Sequence, residues 1–177
     1  MTFIPHPLPP LVYIPTPNQS YRLGASIKGI VVHETEGGFN GAVSWLRNPR
    51  SDASASAVLR EDGLLLAQLV PWGRKAWHAA NANRYTLGLE LAGFTANPNS
   101  AEQLARAARI VAWWCVTYKI PAKQGDSRGR GGIVRHRDLG AYGGGHHDPG
   151  GFDWTAFLKA VDAEVRRGGF RKDYGVR

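Results

Sequence analysis

Three stretches of consecutive apolar residues predict buried β-strands. Residues 27–33 are rich in β-branched side chains and end on a histidine, and the shorter stretch 133–136 also ends on a histidine. Residues 85–92 are apolar on both faces of an extended chain, which is typical of a central strand. The three stretches therefore predict the inner strands of a sheet.

A short helix and a hairpin are predicted between the strands at residues 27–33 and 85–92. Residues 53–59 and 64–69 are strand-like and flank Asp62-Gly63, a pair that is typical of a tight hairpin turn. Residues 40–46 place their apolar side chains on one side of a helix and end near a proline.

Two longer helices are predicted from capping signals and periodicity. Ser100-Ala-Glu-Gln is a capping box, so one helix begins there and ends before Pro121. A last helix begins at Asp153. The apolar stripes of the two helices consist of Leu104, Ala108, Val111, Cys115 and Tyr118, and of Trp154, Phe157, Leu158, Val161 and Val165.

The mixture of strands and helices predicts a single domain of the α/β class, with a central mixed β-sheet flanked by helices. A chain of 177 residues is long enough to bury such a core. Residues 1–20 hold most of the prolines, so we expect an arm that is extended on the surface or partly disordered. Residues 21–167 are expected to form the domain, and residues 168–177 a basic tail or linker.

The chain carries a formal net charge of +8, which favours association with polyanions. Nucleic acid and an anionic bacterial envelope are both candidates. No zinc finger or other recognisable nucleic-acid-binding module accompanies the charge. We therefore expect no nucleic-acid partner.

Targeting and membrane segments are not expected. No apolar run approaches the roughly 20 residues needed to cross a bilayer, and the first ten residues have neither the basic head nor the apolar run of a signal peptide. The single cysteine, Cys115, excludes an internal disulfide. We expect a monomer that is made without a signal peptide and does not insert into membranes.

Histidines at strand ends are candidate ligands of a metal site, with unrelated surface or core histidines as the alternative. His33 and His136 each end a predicted strand, and His146-His147-Asp148 follow a glycine-rich loop. A catalytic zinc ion needs three protein ligands and one open position. His33, His136 and Asp148 satisfy that number, and His146 or His147 could replace one of them.

Two other positions carry candidate chemistry. Glu90 interrupts an apolar strand, where a carboxylate is unfavourable unless it is paired or faces a polar cleft. It is therefore a candidate general base, with an edge-strand glutamate facing water as the alternative. Trp77-His78 is suited to a carbohydrate or peptide groove, but a core tryptophan beside an unrelated histidine explains it equally well.

Four separated segments, in this order, resemble the type 2 N-acetylmuramoyl-L-alanine amidases. This family includes bacteriophage lysozyme-amidases, bacterial recycling amidases and animal peptidoglycan recognition proteins. Residues 30–37 resemble the family's opening strand, and residues 76–79 with 86–91 its substrate-side histidine and glutamate strand. Residues 133–138 and 148–154 resemble the segments that carry the remaining metal ligands.

The resemblance implies the fold of the peptidoglycan recognition proteins and a Zn²⁺ cofactor held by His33, His136 and Asp148. Zinc would polarise the lactyl carbonyl, and Glu90 would take a proton from water and deliver it to the L-alanine nitrogen. His146 occupies a position where many members carry lysine, so it would stabilise the oxyanion.

The resemblance also implies that a second group of residues contacts the substrate: Thr35, Trp77, His78 and His147. One departure is that residues 54–59 lack the tyrosine-histidine or histidine-aromatic pair found in many members. No tyrosine is therefore a candidate for catalysis, which puts more weight on Glu90.

The implied function is hydrolysis of the amide bond between N-acetylmuramic acid and L-alanine in peptidoglycan. The expected setting is a phage endolysin, made in the host cytoplasm, that acts on the cell wall after release. A cytoplasmic amidase that recycles muropeptides is one alternative. A module that binds peptidoglycan without cutting it is another, although all three ligand positions are filled.

Overall fold

A computed structural model describes residues 7–177 of the chain. Residues 1–6, part of the predicted arm, lie outside the described residues. The strands are β1 (Leu11–Tyr13), β2 (Gln19–Ser20), β3 (Gly29–Glu34), β4 (Ala57–Leu59), β5 (Leu66–Gln68), β6 (Lys75–Ala76), β7 (Thr86–Leu91) and β8 (Gly132–Arg135). The α-helices are α1 (Phe39–Arg47), α2 (Ala101–Tyr118) and α3 (Trp154–Arg167), and 3₁₀ segments cover Pro49–Ser51, Ala80–Ala82 and His136–Gly143.

A six-stranded mixed sheet forms the centre of the molecule, in the order β1-β5-β4-β7-β3-β8. β3 pairs in parallel with both β7 and β8, and β4 pairs in parallel with β7 and antiparallel with β5. The register sets His33 opposite Glu90 and Val32 opposite Arg135. The carboxyl ends of three parallel strands therefore meet at one edge of the sheet.

Both faces of this sheet are covered. Ile30 and Val32 of β3 belong to a large apolar cluster with α2 and α3, whereas Val31 packs on the opposite face against Ala79 and Leu139. Because side chains alternate along a strand, His33 projects from the same face as Val31. The predicted chemistry therefore lies on the face away from α2 and α3.

The predicted elements are confirmed in type and order. The Ser100 hydroxyl accepts the backbone N–H of Gln103 at the start of α2, and the Asp153 carboxylate accepts that of Ala156 at the start of α3. The hairpin forms between β4 and β5, with Gly63 at a φ of +71°. No helix within residues 7–177 has both the length and the apolar character that a membrane span requires.

Both ends of the described chain pack onto the domain. β1, which the proline-rich sequence did not predict, pairs in parallel with β5. Near the other end, Tyr174 is buried and its hydroxyl donates to the carbonyl of Pro9 at 2.7 Å. The indole Nε1 of Trp72 donates to the carbonyl of Tyr174 at 2.8 Å. The division at residues 20 and 167 stays a prediction, but both segments contribute contacts to the core.

These contacts predict that the tail stabilises the domain. Tyr174→Ala would remove a ring that meets Trp113 edge to face at 5.4 Å, together with the hydrogen bond to Pro9. We expect the free energy of unfolding, measured by urea denaturation, to fall by roughly 3 kcal/mol. The exposed Lys172→Ala serves as the control and should change it by less than about 0.5 kcal/mol. Equal stability of the two variants would show that the tail is dispensable.

Candidate metal centre and cleft

The predicted metal ligands lie together at the carboxyl edge of the sheet. His33 is on β3, His136 directly follows β8, and Asp148 lies in the loop before α3. One ligand atom from each lies within 4.8 Å of the other two. Both imidazoles are buried and the carboxylate is partly buried.

The distances fit a common ion. The Nδ1 atoms of His33 and His136 are 3.0 Å apart, and Asp148 brings its oxygens to 3.1 Å from the Nδ1 of His136 and 3.5 Å from that of His33. Ligand atoms about 2.0–2.2 Å from a tetrahedral zinc ion lie roughly 3.3–3.6 Å from one another. The spacing is therefore close to that of three zinc ligands.

The donor chemistry fits as well. His136 Nε2 lies 2.9 Å from the carbonyl oxygen of Gly143, which can only accept a hydrogen bond. The proton of the neutral ring is therefore on Nε2, and Nδ1 directs a lone pair toward the other two side chains. Two imidazole nitrogens and a carboxylate are a donor set that zinc accepts.

The protonation states suit metal binding too. Burial lowers the pKa of His33 to about 4, so the ring is neutral at pH 7. Burial also raises the pKa of Asp148, but contacts with His136 and His33 outweigh burial and hold that pKa well below its usual value. A neutral imidazole and an ionised carboxylate are the forms that ligate a metal.

Glu90 lies beside this cluster. The register of β7 sets it opposite His33, and its Oε1 is 3.9 Å from the Nδ1 of His33. Burial raises the pKa of Glu90 to about 8, with further contributions from the nearby charges of Asp148 and Glu34. Glu90 therefore lines the polar cleft. This position agrees with the interpretation as a candidate general base and not with that of an edge-strand glutamate facing water.

The segment that carries Asp148 is held by Glu34, a residue that sequence reasoning did not single out. The backbone N–H of Glu34 donates to Asp148 Oδ2 at 3.1 Å, and its buried carboxylate accepts from Asn99 at 3.0 Å. Its other oxygen lies 3.4 Å from the backbone nitrogen of Gly150. A side chain at Gly150 would collide with Thr95, because a Cβ there would lie 2.4 Å from it. The signal in the sequence was an acidic residue directly after His33 in a buried strand.

A cleft of about 490 Å³ opens over the cluster. Thr35, Trp77 and His78, all predicted to contact substrate, line it, and so does the exposed Trp45 of α1, which the sequence analysis missed. None of the cleft-lining side chains within residues 7–177 is lysine or arginine. The walls are thus acidic, neutral and aromatic, although the whole chain is basic.

The two adjacent histidines lie in different places. His146 is exposed and stacks on the ring of His136 at 4.3 Å between centroids, and it lines the cleft. His147 is exposed, is not among the residues that line the cleft, and accepts hydrogen bonds from Arg137 through its backbone oxygen. His78 lies behind the metal site, with Nδ1 2.9 Å from His33 Nε2.

Comparison with known proteins agrees with this architecture. The N-acetylmuramoyl-L-alanine amidase A of Achromobacter lyticus is 30% identical over 107 residues, which cover 59% of this chain and 60% of that protein. The matched part therefore spans about 60% of the length of that relative.

Solved structures share the fold. The hydrolase AmiA of Staphylococcus aureus matches with a TM-score of 0.74 at 21% identity, over 90% of this chain and 85% of that one. The amidase LysC of Clostridium intestinale matches with a TM-score of 0.66 at 18% identity, over 87% of this chain and 98% of that one. The α/β architecture with a mixed central sheet is thereby confirmed. A family model described as N-acetylmuramoyl-L-alanine amidase matches residues 23–151, and the chain belongs to that family.

Proposed function

We propose that this chain hydrolyses the amide bond between N-acetylmuramic acid and L-alanine in bacterial peptidoglycan. Membership of the amidase family supports the identity of the bond. The observation that carries the proposal is the convergence of His33, His136 and Asp148 within 4.8 Å, beside Glu90 in an open cleft. These three side chains would hold a zinc ion.

A zinc ion bound there supplies Lewis acidity, which polarises a carbonyl oxygen and makes water a stronger acid. Glu90 takes the proton of the attacking water on its carboxylate and returns it to the nitrogen of L-alanine as the amide bond breaks. Burial raises the pKa of Glu90, which strengthens its carboxylate as a proton acceptor. The positive charge of a zinc ion held beside it would lower that pKa and favour the ionised form that accepts the proton. At the mouth of the cleft, His146 donates a hydrogen bond to the oxyanion that develops.

The cleft supports a muramyl peptide as the substrate. Trp45 and Trp77 present aromatic surface on which apolar parts of a sugar or peptide can pack. Ser20 fixes the indole of Trp77 by accepting from its Nε1 at 3.0 Å. Thr35 lines the same wall. His147 belongs to the predicted substrate group and would have to reach the substrate from outside the cleft.

A role as a phage lysin is the biological setting that we favour. A second structural match from Clostridium intestinale is described as an endolysin, at 18% identity and a TM-score of 0.67. A net charge of +8 raises the concentration of the protein near an anionic wall after release, which favours the lysin over the recycling role. The hydrolysis rates on intact sacculi and on soluble muropeptides separate the roles: a recycling amidase would prefer the soluble substrate.

Removal of the metal tests the proposal as a whole. We expect the purified protein to contain about one zinc ion per chain and to release N-terminal L-alanine from peptidoglycan, because the three ligands form one site. A chelator should abolish both, and added Zn²⁺ should restore both. Metal content is measured by mass spectrometry and release by amine labelling. A protein that holds zinc without releasing an amine would be a binding module or another hydrolase.

Glu90→Gln separates catalysis from binding. The amide keeps the size of the side chain but cannot take a proton, so we expect turnover to fall by roughly 10²–10⁴-fold. Zinc content and sedimentation with peptidoglycan should stay near those of the wild type. Glu102→Gln makes the same chemical change on α2, outside the residues that line the cleft, and serves as the matched control. Equal turnover of the two variants would remove Glu90 from the mechanism.

A further inference from the structure

Both ring nitrogens of His78 contact polar groups of the protein. Nδ1 lies 2.9 Å from His33 Nε2, and Nε2 lies 3.2 Å from the hydroxyl oxygen of Thr86. The imidazoles of His33 and His78 meet edge to face, with centroids 5.0 Å apart. The ring of His78 therefore has no nitrogen left for a substrate, although the residue lines the cleft.

The direction of each hydrogen bond follows from the carbonyl of Ala82. This oxygen can only accept, and it lies 2.9 Å from Thr86 Oγ1, so the single hydroxyl proton of Thr86 points to it. Thr86 then offers His78 nothing but lone pairs. The Nε2 of His78 must therefore carry the proton of its ring.

The same reasoning extends to the metal site. With its proton on Nε2, a neutral His78 has an acceptor at Nδ1, so His33 must donate to it from Nε2. The Nδ1 of His33 then has a free lone pair, directed at the Nδ1 of His136 and the carboxylate of Asp148. The other tautomer would place a proton on Nδ1, inside the cluster.

We propose that His78, fixed by Thr86, is a positioning residue that holds His33 in the tautomer whose Nδ1 ligates the metal. This role replaces the substrate contact that the family resemblance implies for His78. It rests on the proposed function, because it assigns His33 as a ligand.

The surroundings of His78 leave its ring little freedom. A Cβ at Gly88 would come within 2.7 Å of the ring, so the glycine in β7 provides the space that the imidazole occupies. Asn83 Oδ1 accepts the backbone N–H groups of His78 and Ala79 at 2.9 and 2.6 Å. The buried Arg22 donates to the carbonyl of Asn83 at 3.1 Å.

Zinc affinity, measured by competition with a chelator, tests the role of this chain of hydrogen bonds. Thr86→Val removes the acceptor for His78, and His78→Leu removes the acceptor for His33. We expect each to weaken zinc binding by roughly 10–100-fold. Thr86→Ser keeps the hydroxyl and should retain the affinity. Thr16→Val removes another buried hydroxyl, which donates to Leu46 at 2.8 Å, and should lower stability without changing zinc affinity.

The tautomer of His33 is measured in the zinc-free protein by ¹⁵N NMR of the imidazole. We expect a proton on Nε2 in the wild type and in Thr86→Ser, and a substantial fraction on Nδ1 in Thr86→Val. Circular dichroism shows whether each variant folds. If His78→Leu is unfolded, the results for Thr86→Val alone test the role of His78. An unchanged tautomer and unchanged zinc affinity in Thr86→Val would overturn the inference. A wild type that binds no zinc would contradict the proposed function, while the tautomer would still decide the role of His78.

Discussion

The parallel pairing of β3 with β7 and β8 is the constraint on which the site depends. It sets His33 and Glu90 side by side in register and brings the start of the segment after β8, where His136 lies, to the same edge. β3 and β7 place His33 and Glu90 on the face away from α2 and α3, because side chains alternate along a strand. The apolar residues between them anchor the three strands in the core. Shifting β3 or β7 by a single residue would turn His33 or Glu90 into that core.

Contacts around the three proposed ligands complete the arrangement. Gly143 orients His136, the backbone of Glu34 binds Asp148, and His78 contacts His33. Each of the three side chains therefore has a hydrogen-bonding partner outside the cluster, and such partners orient metal ligands and tune their affinity. The whole chain has a net charge of +8, whereas the side chains that line the cleft include carboxylates and no lysine or arginine among the described residues. The net positive charge favours approach to an anionic polymer, and the composition of the cleft is suited to a cation.

Local patterns in the sequence predicted much of this site. Strand signals ended on His33 and on His136, and a carboxylate inside an apolar strand marked Glu90, so local reasoning made all three residues candidates. The contacts of Glu34 could not be predicted, because its partners Asn99 and Gly150 are 65 and 116 residues away.

The same limit applies to the other residues that the sequence did not explain. The contact of His78 with His33 depends on the packing of the His78 ring against Gly88, where the absence of a side chain leaves room for it. β1 was missed because prolines mask a strand whose stability comes from pairing with the distant β5. Trp45 lies on the exposed side of α1, where periodicity gives no signal for a cleft. In each case the missing information is a long-range contact.

A crystal structure with an anomalous difference map at the zinc absorption edge tests the central claim most directly. The account predicts one peak, about 2.0–2.2 Å from the Nδ1 atoms of His33 and His136 and from a carboxylate oxygen of Asp148. A peak at His146 or His147 instead, coordination through the Nε2 of His33, or no peak at all would contradict it.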